Sequence, residues 1–200
     1  MRELGERFEA VLARAVRGDS AAFGELWRAT HPPLLRYLRV IAGDLAEDVA
    51  SETWLKAMRS LSSFVGDEPA FRGWLTVIGR NVARDLARRA ARRPETLLPD
   101  PQPTRQGTAP DAADEALERL GTERALRLLT TLPPAQAEMV ALRVIVGLEP
   151  AEIGLIVGRN SGAVRVAVHR ALATLARTVG PDKVIDVTID DQEALTRRHG

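Results

Sequence analysis

Arg165, His169 and Arg170 stand at spacings of four and one, which puts all three on one broad face of a helix. Gly158-Arg159-Asn160 just before them reads as a tight turn, and Pro150 to Ile156 as a short helix in front of that turn. A short helix, a turn and a longer helix with basic side chains in its first half is helix-turn-helix grammar. The first helix supports, and the second offers its N-terminal half to a major groove, where arginine can donate two hydrogen bonds to guanine. Asn160 is placed to cap the second helix, which would also aim backbone N–H groups at a phosphate. A helical hairpin with solvated arginines fits the same pattern.

Two further groups could carry chemistry. From Arg80 to Arg93 there are six arginines and one acid, Asp85. Arg72, Arg80, Arg84, Arg88, Arg89, Arg92 and Arg93, interleaved with Phe71, Trp74 and Asn81, could follow a phosphate backbone and hold an unstacked base. For Phe71 and Trp74, core packing is the better reading; for Asn81 the plain alternative is a solvent-facing amide. Asp44, Glu47, Asp48 and Glu52 recur at spacings of three and four, which aligns four carboxylates along one side of a helix. Paired carboxylates can do acid–base work, but no histidine cluster or nucleophile pattern accompanies them. A charged docking face or simple solvation is favoured.

All these residues need helices to position them. Leu4, Phe8, Val11, Leu12, Ala15 and Val16 form one stripe. Gly18-Asp19 breaks it, and Asp19 or Ser20 can cap a second helix carrying Phe23, Leu26 and Trp27. His31-Pro32-Pro33 is expected to end that helix, with a third through Leu34, Tyr37, Leu38 and Ile41. Asp44 and Glu47 read as a capping box opening the next helix, with Leu45, Val49, Trp54, Leu55, Met58 and Leu61 able to face a core. Pro69 suits the first turn of the basic helix. A helix through Leu117, Leu120, Ala125, Leu128 and Leu129 should end at Leu132-Pro133-Pro134, followed by one from Ala135 to Val146 and then the two already named.

The predicted fold is all-α. Residues 1–93 form one helical domain and 114–180 a second, which carries the helix-turn-helix; 181–200 is an unassigned tail. Residues 94–113, with five prolines, form a flexible, acidic linker. That linker has few apolar anchors, so only partners should hold the halves together.

Hydrophobic residues make up 45% of the chain, which is enough for real cores, and aromatics only 4%, which favours helices over sheets. The net charge of +1 identifies no partner; the basic stretch followed directly by an acidic one is more informative. The absence of cysteine excludes disulfides and thiolate metal sites. His31, His169 and His199 are too scattered for a metal cluster. No cofactor is expected, and neither phosphate-loop glycine pattern occurs. No apolar run approaches membrane length and the N-terminus lacks a signal-peptide core, so a cytoplasmic location without membrane insertion is expected.

Taken in order, the segments resemble the extracytoplasmic-function sigma factors. AAFGELWRATHPPLLRYLRV looks like that family's opening helices, DLAEDVASETWLKAMRSLSSF like its polymerase-docking helix, and AFRGWLTVIGRNVARDLARR like its minus-ten-reading helix. LPPAQAEMVALRVIVGLEPAEIGLIVGRNSGAVRVAVHRAL looks like its minus-thirty-five-reading domain. The resemblance implies an alternative sigma factor that binds core RNA polymerase, directs it to promoters and assists their opening, without being an enzyme. It implies that Asp44, Glu47, Asp48 and Glu52 meet a coiled coil on the polymerase clamp. It places Arg143, Arg165, His169 and Arg170 at DNA-contacting positions, and Asn81 with Phe64 in a pocket for a flipped base. It implies an anti-sigma factor as a further partner. Glu149 departs from the Ser or Thr usual at its cap, and Val166 and Ala167 replace polar residues of the recognition helix. The main competing reading is a helix-turn-helix regulator that binds DNA without polymerase. A helical hydrolase using the carboxylate row would need a metal or substrate pocket near Glu47.

Overall fold

The structure, a computed structural model, describes residues 4–92 and 112–179. The tail 181–200 lies outside them. So does the expected linker, except its last two residues, which already belong to a helix. Every regular element among the described residues is helical: α1 (Phe8–Val16), α2 (Ser20–Ala42), α3 (Ala46–Ser60), α4 (Glu68–Arg92), α5 (Ala112–Leu129), α6 (Pro134–Ala141), α7 (Pro150–Val157) and α8 (Ser161–Val179).

Local chemistry explains most of the boundaries. Asp19 caps α2, its Oδ1 accepting from the N–H groups of Ala21 and Ala22 at 3.0 and 3.1 Å. Those bonds, with Arg14 beside them, hold its carboxyl below the usual carboxylate range. Asp67 does the same for α4 through the N–H of Ala70, with Pro69 in the first turn. Pro134 opens α6, and a π-helical turn, Leu142–Val146, continues it to Gly147 at φ 81°.

Two boundaries differ from those expected. Pro32 and Pro33 lie inside α2, which runs on to Ala42. Leu26, Ala29 and Thr30 before the prolines and Leu34, Tyr37 and Leu38 after them are all buried, so one continuous packed stripe outweighs the lost backbone donors. The expected Asp44 capping box does not form. Gly43, at φ 56°, leads into a 3-10 turn, Gly43–Leu45, and α3 starts at Ala46 with no side-chain cap. Asp44 and Glu47 thus stay at the positive end of the helix dipole without capping it.

The N-terminal unit packs α1 to α4 around Phe8, Leu26, Leu38, Val49, Trp54 and Phe71. Gly79 lets α4 approach α2 and α3 closely: a Cβ there would stand 3.2 Å from both Leu38 Cδ2 and Thr53 Oγ1. The buried Glu68 carboxylate ties down the chain's start, accepting from the N–H groups of Leu4 and Gly5 at 3.0 and 2.8 Å. In the C-terminal unit Leu142, Leu148, Ile153, Val164 and Ala171 form the core.

The two units are packed on one another, contrary to the expectation that only partners would hold them together. Val146 shares a seam with Thr30, Pro33, Leu34 and Leu75, and Gly73 faces Leu148. The expectation rested on the composition of the connecting segment, whereas the anchors lie in the folded units themselves.

Candidate nucleic-acid interface

Ile153 is fully buried beneath the helix-turn-helix, and Gly154 allows the turn to fold back on α7. The N–H groups of Gly158 and Arg159 both donate to Gly154 O, at 2.9 and 3.0 Å, and Gly158 takes a left-handed φ of 73°. At the foot of α7, Glu152 accepts from the Glu149 N–H at 2.7 Å, which fixes that helix start without a Ser or Thr. Asn160 Oδ1 accepts from the Ala163 N–H at 2.7 Å and so caps α8. Val164, Val168 and Ala171 seat α8 on the core, leaving Arg165, His169 and Arg170 exposed with Val166 between them. Arg143 is half-buried; its Nη1 donates to Glu149 Oε1 at 2.7 Å and to Leu148 O at 3.3 Å.

On α4, Asn81, Arg84 and Arg88 are exposed, with Arg88 paired to Asp85. Phe64 is half-buried, its ring centroid 5.2 Å from that of Phe71 and 5.3 Å from that of Trp74. Phe71 is fully buried, whereas Trp74 is only partly so. Phe64 and Trp74 therefore form the accessible rim of an aromatic cluster, with Trp74 about two turns before Asn81 on α4 and Phe64 in the segment before that helix.

Arg80 differs from the expectation of an available cation. Its side chain is 8% exposed, and its Nε donates to Glu138 Oε1 at 2.5 Å and its Nη2 to Glu138 Oε2 at 3.1 Å. Nη1 donates to Ile156 O at 2.7 Å, and the Tyr37 hydroxyl donates to Glu138 Oε1 at 3.1 Å. The bonds to Glu138 hold the guanidinium more firmly charged, while burial pushes the Tyr37 hydroxyl well above its ordinary range. Glu138 was missed from sequence because its partner lies 58 residues away.

Asp44, Glu47, Asp48 and Glu52 are all exposed. Arg39 pairs with Glu47 at 3.3 Å and Lys56 with Glu52 at 3.5 Å. Val49, Trp54 and Leu61 are buried as expected, but Leu45, Leu55 and Met58 are not: Leu55 is 52% and Met58 55% exposed. The acidic side of α3 thus carries apolar side chains that the N-terminal unit leaves uncovered, a composition suited to a protein partner. Glu123 and Arg127 of α5 line an open cleft of about 370 Å³ with Asp44 and Glu47. Among the described residues no His, Asp and Glu side chains gather as a metal site, and no helix is long and apolar enough to cross a membrane.

Residues 26–93 match sigma-70 region 2 and residues 122–175 match sigma-70 region 4. The sigma factor SigD of Mycobacterium tuberculosis is 36% identical over 177 residues, covering 86% of this chain and 83% of that protein. BldN of Streptomyces coelicolor is 33% identical over 178 residues, covering 88% of this chain and 67% of that one. CnrH, solved in complex with the cytosolic domain of CnrY, matches with a TM-score of 0.58 at 27% identity over 89% of this chain and all of that one. The chain belongs to the extracytoplasmic-function (ECF) RNA polymerase sigma factors. Its function is that of an alternative sigma factor: it binds core RNA polymerase and directs it to promoter DNA. The paired region 2 and region 4 matches set aside a regulator that works without polymerase.

Proposed function

We propose that the two units divide promoter recognition between α4 and α8, with α3 as the polymerase contact. Arg165, His169 and Arg170, exposed behind the Asn160 cap, read or clamp the minus-thirty-five element, with Arg143 beside them. Asn81 takes a flipped base of the minus-ten element against the Phe64 rim, and Arg80, Arg84 and Arg88 hold the neighbouring phosphates. Asp44, Glu47, Asp48 and Glu52, with Leu55 and Met58, dock on the clamp coiled coil. The protein acts in the cytoplasm, where its polymerase is, and has no catalytic activity of its own. An anti-sigma factor is the further partner the family suggests, and CnrH, the related factor solved with the cytosolic domain of CnrY, shows such a chain held by a second protein.

The observation that carries this reading is the capped α8, whose buried face fixes it while its basic face stays open. Run-off transcription with core polymerase on a randomised promoter library tests it. Enrichment of paired upstream and downstream elements is expected; transcription independent of the upstream sequence would overturn the assignment of α8.

A further inference from the structure

We propose that Glu138 is the clasp of an autoinhibited closed state, in which the C-terminal unit sequesters Arg80 and so takes its guanidinium away from promoter DNA. This rests on the reading of Arg80 as a DNA contact. Arg80 follows Gly79 and precedes the exposed Asn81, yet its guanidinium is spent on Glu138 and on the Ile156 carbonyl, both in the other unit. Tyr37 closes the same carboxylate from α2. A largely buried charge pair, with the guanidinium making three hydrogen bonds and the carboxylate a further one from Tyr37, is held by geometry as well as attraction, and either charge left alone there would be disfavoured.

The seam around the clasp is built to close. A Cβ at Gly73 would stand 3.6 Å from Leu148 Cδ2, so α4 comes close to the segment before α7. The residual void beside Arg72, Leu75 and Val146 is only about 10 Å³. The closed arrangement is also the wrong shape for the bound one. Elements centred about 25 base pairs apart lie roughly 85 Å apart at ~3.4 Å per pair, whereas a packed body of this length is roughly 40 Å across. Units in contact cannot read both elements at once, so the seam must open before the holoenzyme can engage a promoter. In the closed state α5 also forms the far wall of the cleft that Asp44 and Glu47 line at the start of the docking helix, which narrows the approach of polymerase to that end. Closure then acts as a conformational tax: apparent affinity falls by the fraction of molecules that are open.

Two measurements test this on the full chain. First, Glu138→Gln removes the charge that holds Arg80 while leaving every candidate DNA and polymerase residue in place. The variant should scatter X-rays as a more extended molecule and bind labelled core polymerase more tightly, by about tenfold or more. Second, the absence of native cysteine permits an Arg39→Cys/Thr130→Cys variant whose two new thiols line the same cleft. Joined by a short cleavable bis-maleimide, it should lose run-off transcription at least tenfold and recover it when the linker is cut. Locked chains that transcribe as well as cut ones would overturn the closed state as inhibitory, even if Glu138→Gln failed to fold. A compact Glu138→Gln with unchanged polymerase affinity would overturn Glu138 as the clasp. Unchanged promoter affinity of the Arg80→Ala holoenzyme would instead overturn the reading of Arg80 as a DNA contact, which separates the two readings.

Discussion

The indole Nε1–H of Trp54 donates to Nδ1 of His31 at 3.2 Å, joining α3 to the middle of α2 beside the two internal prolines. The bond needs an unprotonated Nδ1, and Trp27 stacks on the imidazole with ring centroids 4.3 Å apart. Burial is the main reason the imidazole's pKa falls below its ordinary 6.5. The folded state therefore resists a proton that the unfolded chain accepts. The stabilisation from this site is present above about pH 6.5 and is lost as pH falls from there toward the depressed folded value. Urea midpoints measured from about pH 7.5 down to about pH 5.5 should fall. His31→Gln keeps an acceptor for the indole without titrating, so it should flatten that part of the slope; an unchanged slope would remove His31 as its source.

The docking face predicts a loss of association without a loss of fold. Asp48 and Glu52 are exposed, so Asp48→Arg and Glu52→Arg open no cavity. Like charge facing a basic partner is costly at an interface, and each reversal should weaken core polymerase binding by roughly tenfold. Thermal midpoints should stay close to wild type. Leu55→Ser or Met58→Ser should weaken binding too, because these side chains are uncovered in the free chain. Unchanged affinity in all four variants would remove α3 from the interface.

Gly154 gives a prediction of a different kind. A Cβ there would collide with the carbonyl oxygen of Arg159, a backbone atom that cannot swing aside as a side chain could. Gly154→Ala should push the turn off α7 and cost about 1–3 kcal/mol. Circular dichroism melting reads the stability, and binding to the upstream element alone should weaken with it. A melt and an affinity equal to wild type would mean the turn has more slack than its hydrogen bonds indicate.

Arg165 separates base reading from phosphate clamping. If its guanidinium meets a base edge, Arg165→Ala should lose about 1–3 kcal/mol of discrimination between upstream elements. A uniform loss across all sequences would make it a phosphate contact, and a shallower salt dependence would accompany that result.

The helix-turn-helix was legible because its determinants are local: Pro150, Gly158 and Asn160 punctuate the chain within a few residues of what they control. The acidic row was legible for the same reason. Leu55 and Met58 were not, because Leu55 flanks the buried Trp54 and Met58 stands four residues after Trp54 and three before Leu61; only the packed neighbours decide which apolar residues stay outside. Pro32 and Pro33 misled because a proline rule weighs backbone donors, whereas burial on both sides of the pair decides the outcome. Arg80 misled most. As one arginine among six between residues 80 and 93 it looked like part of a solvated face, and nothing within a helical turn points to Glu138, 58 residues away.

Asn81 bears the sharpest test of promoter opening. It is exposed on α4, with the buried Arg80 before it and the exposed Arg84 one turn on. Its amide offers both a donor and an acceptor to a base edge, and Trp74, about two turns earlier on α4, joins Phe64 in a partly exposed aromatic pair. Exposing a base costs a few kcal/mol, which the pocket must return through hydrogen bonds and stacking. Closed-complex formation makes no such demand, since phosphate contacts and the upstream element suffice for it. Asn81→Ala should therefore leave total promoter binding by holoenzyme within about twofold while cutting bubble formation by roughly tenfold. Permanganate footprinting of unpaired thymines reads the bubble, and a gel shift reads total binding. Equal bubbles in variant and wild type would refute base capture by Asn81 and leave its amide a solvated group on an otherwise basic helix.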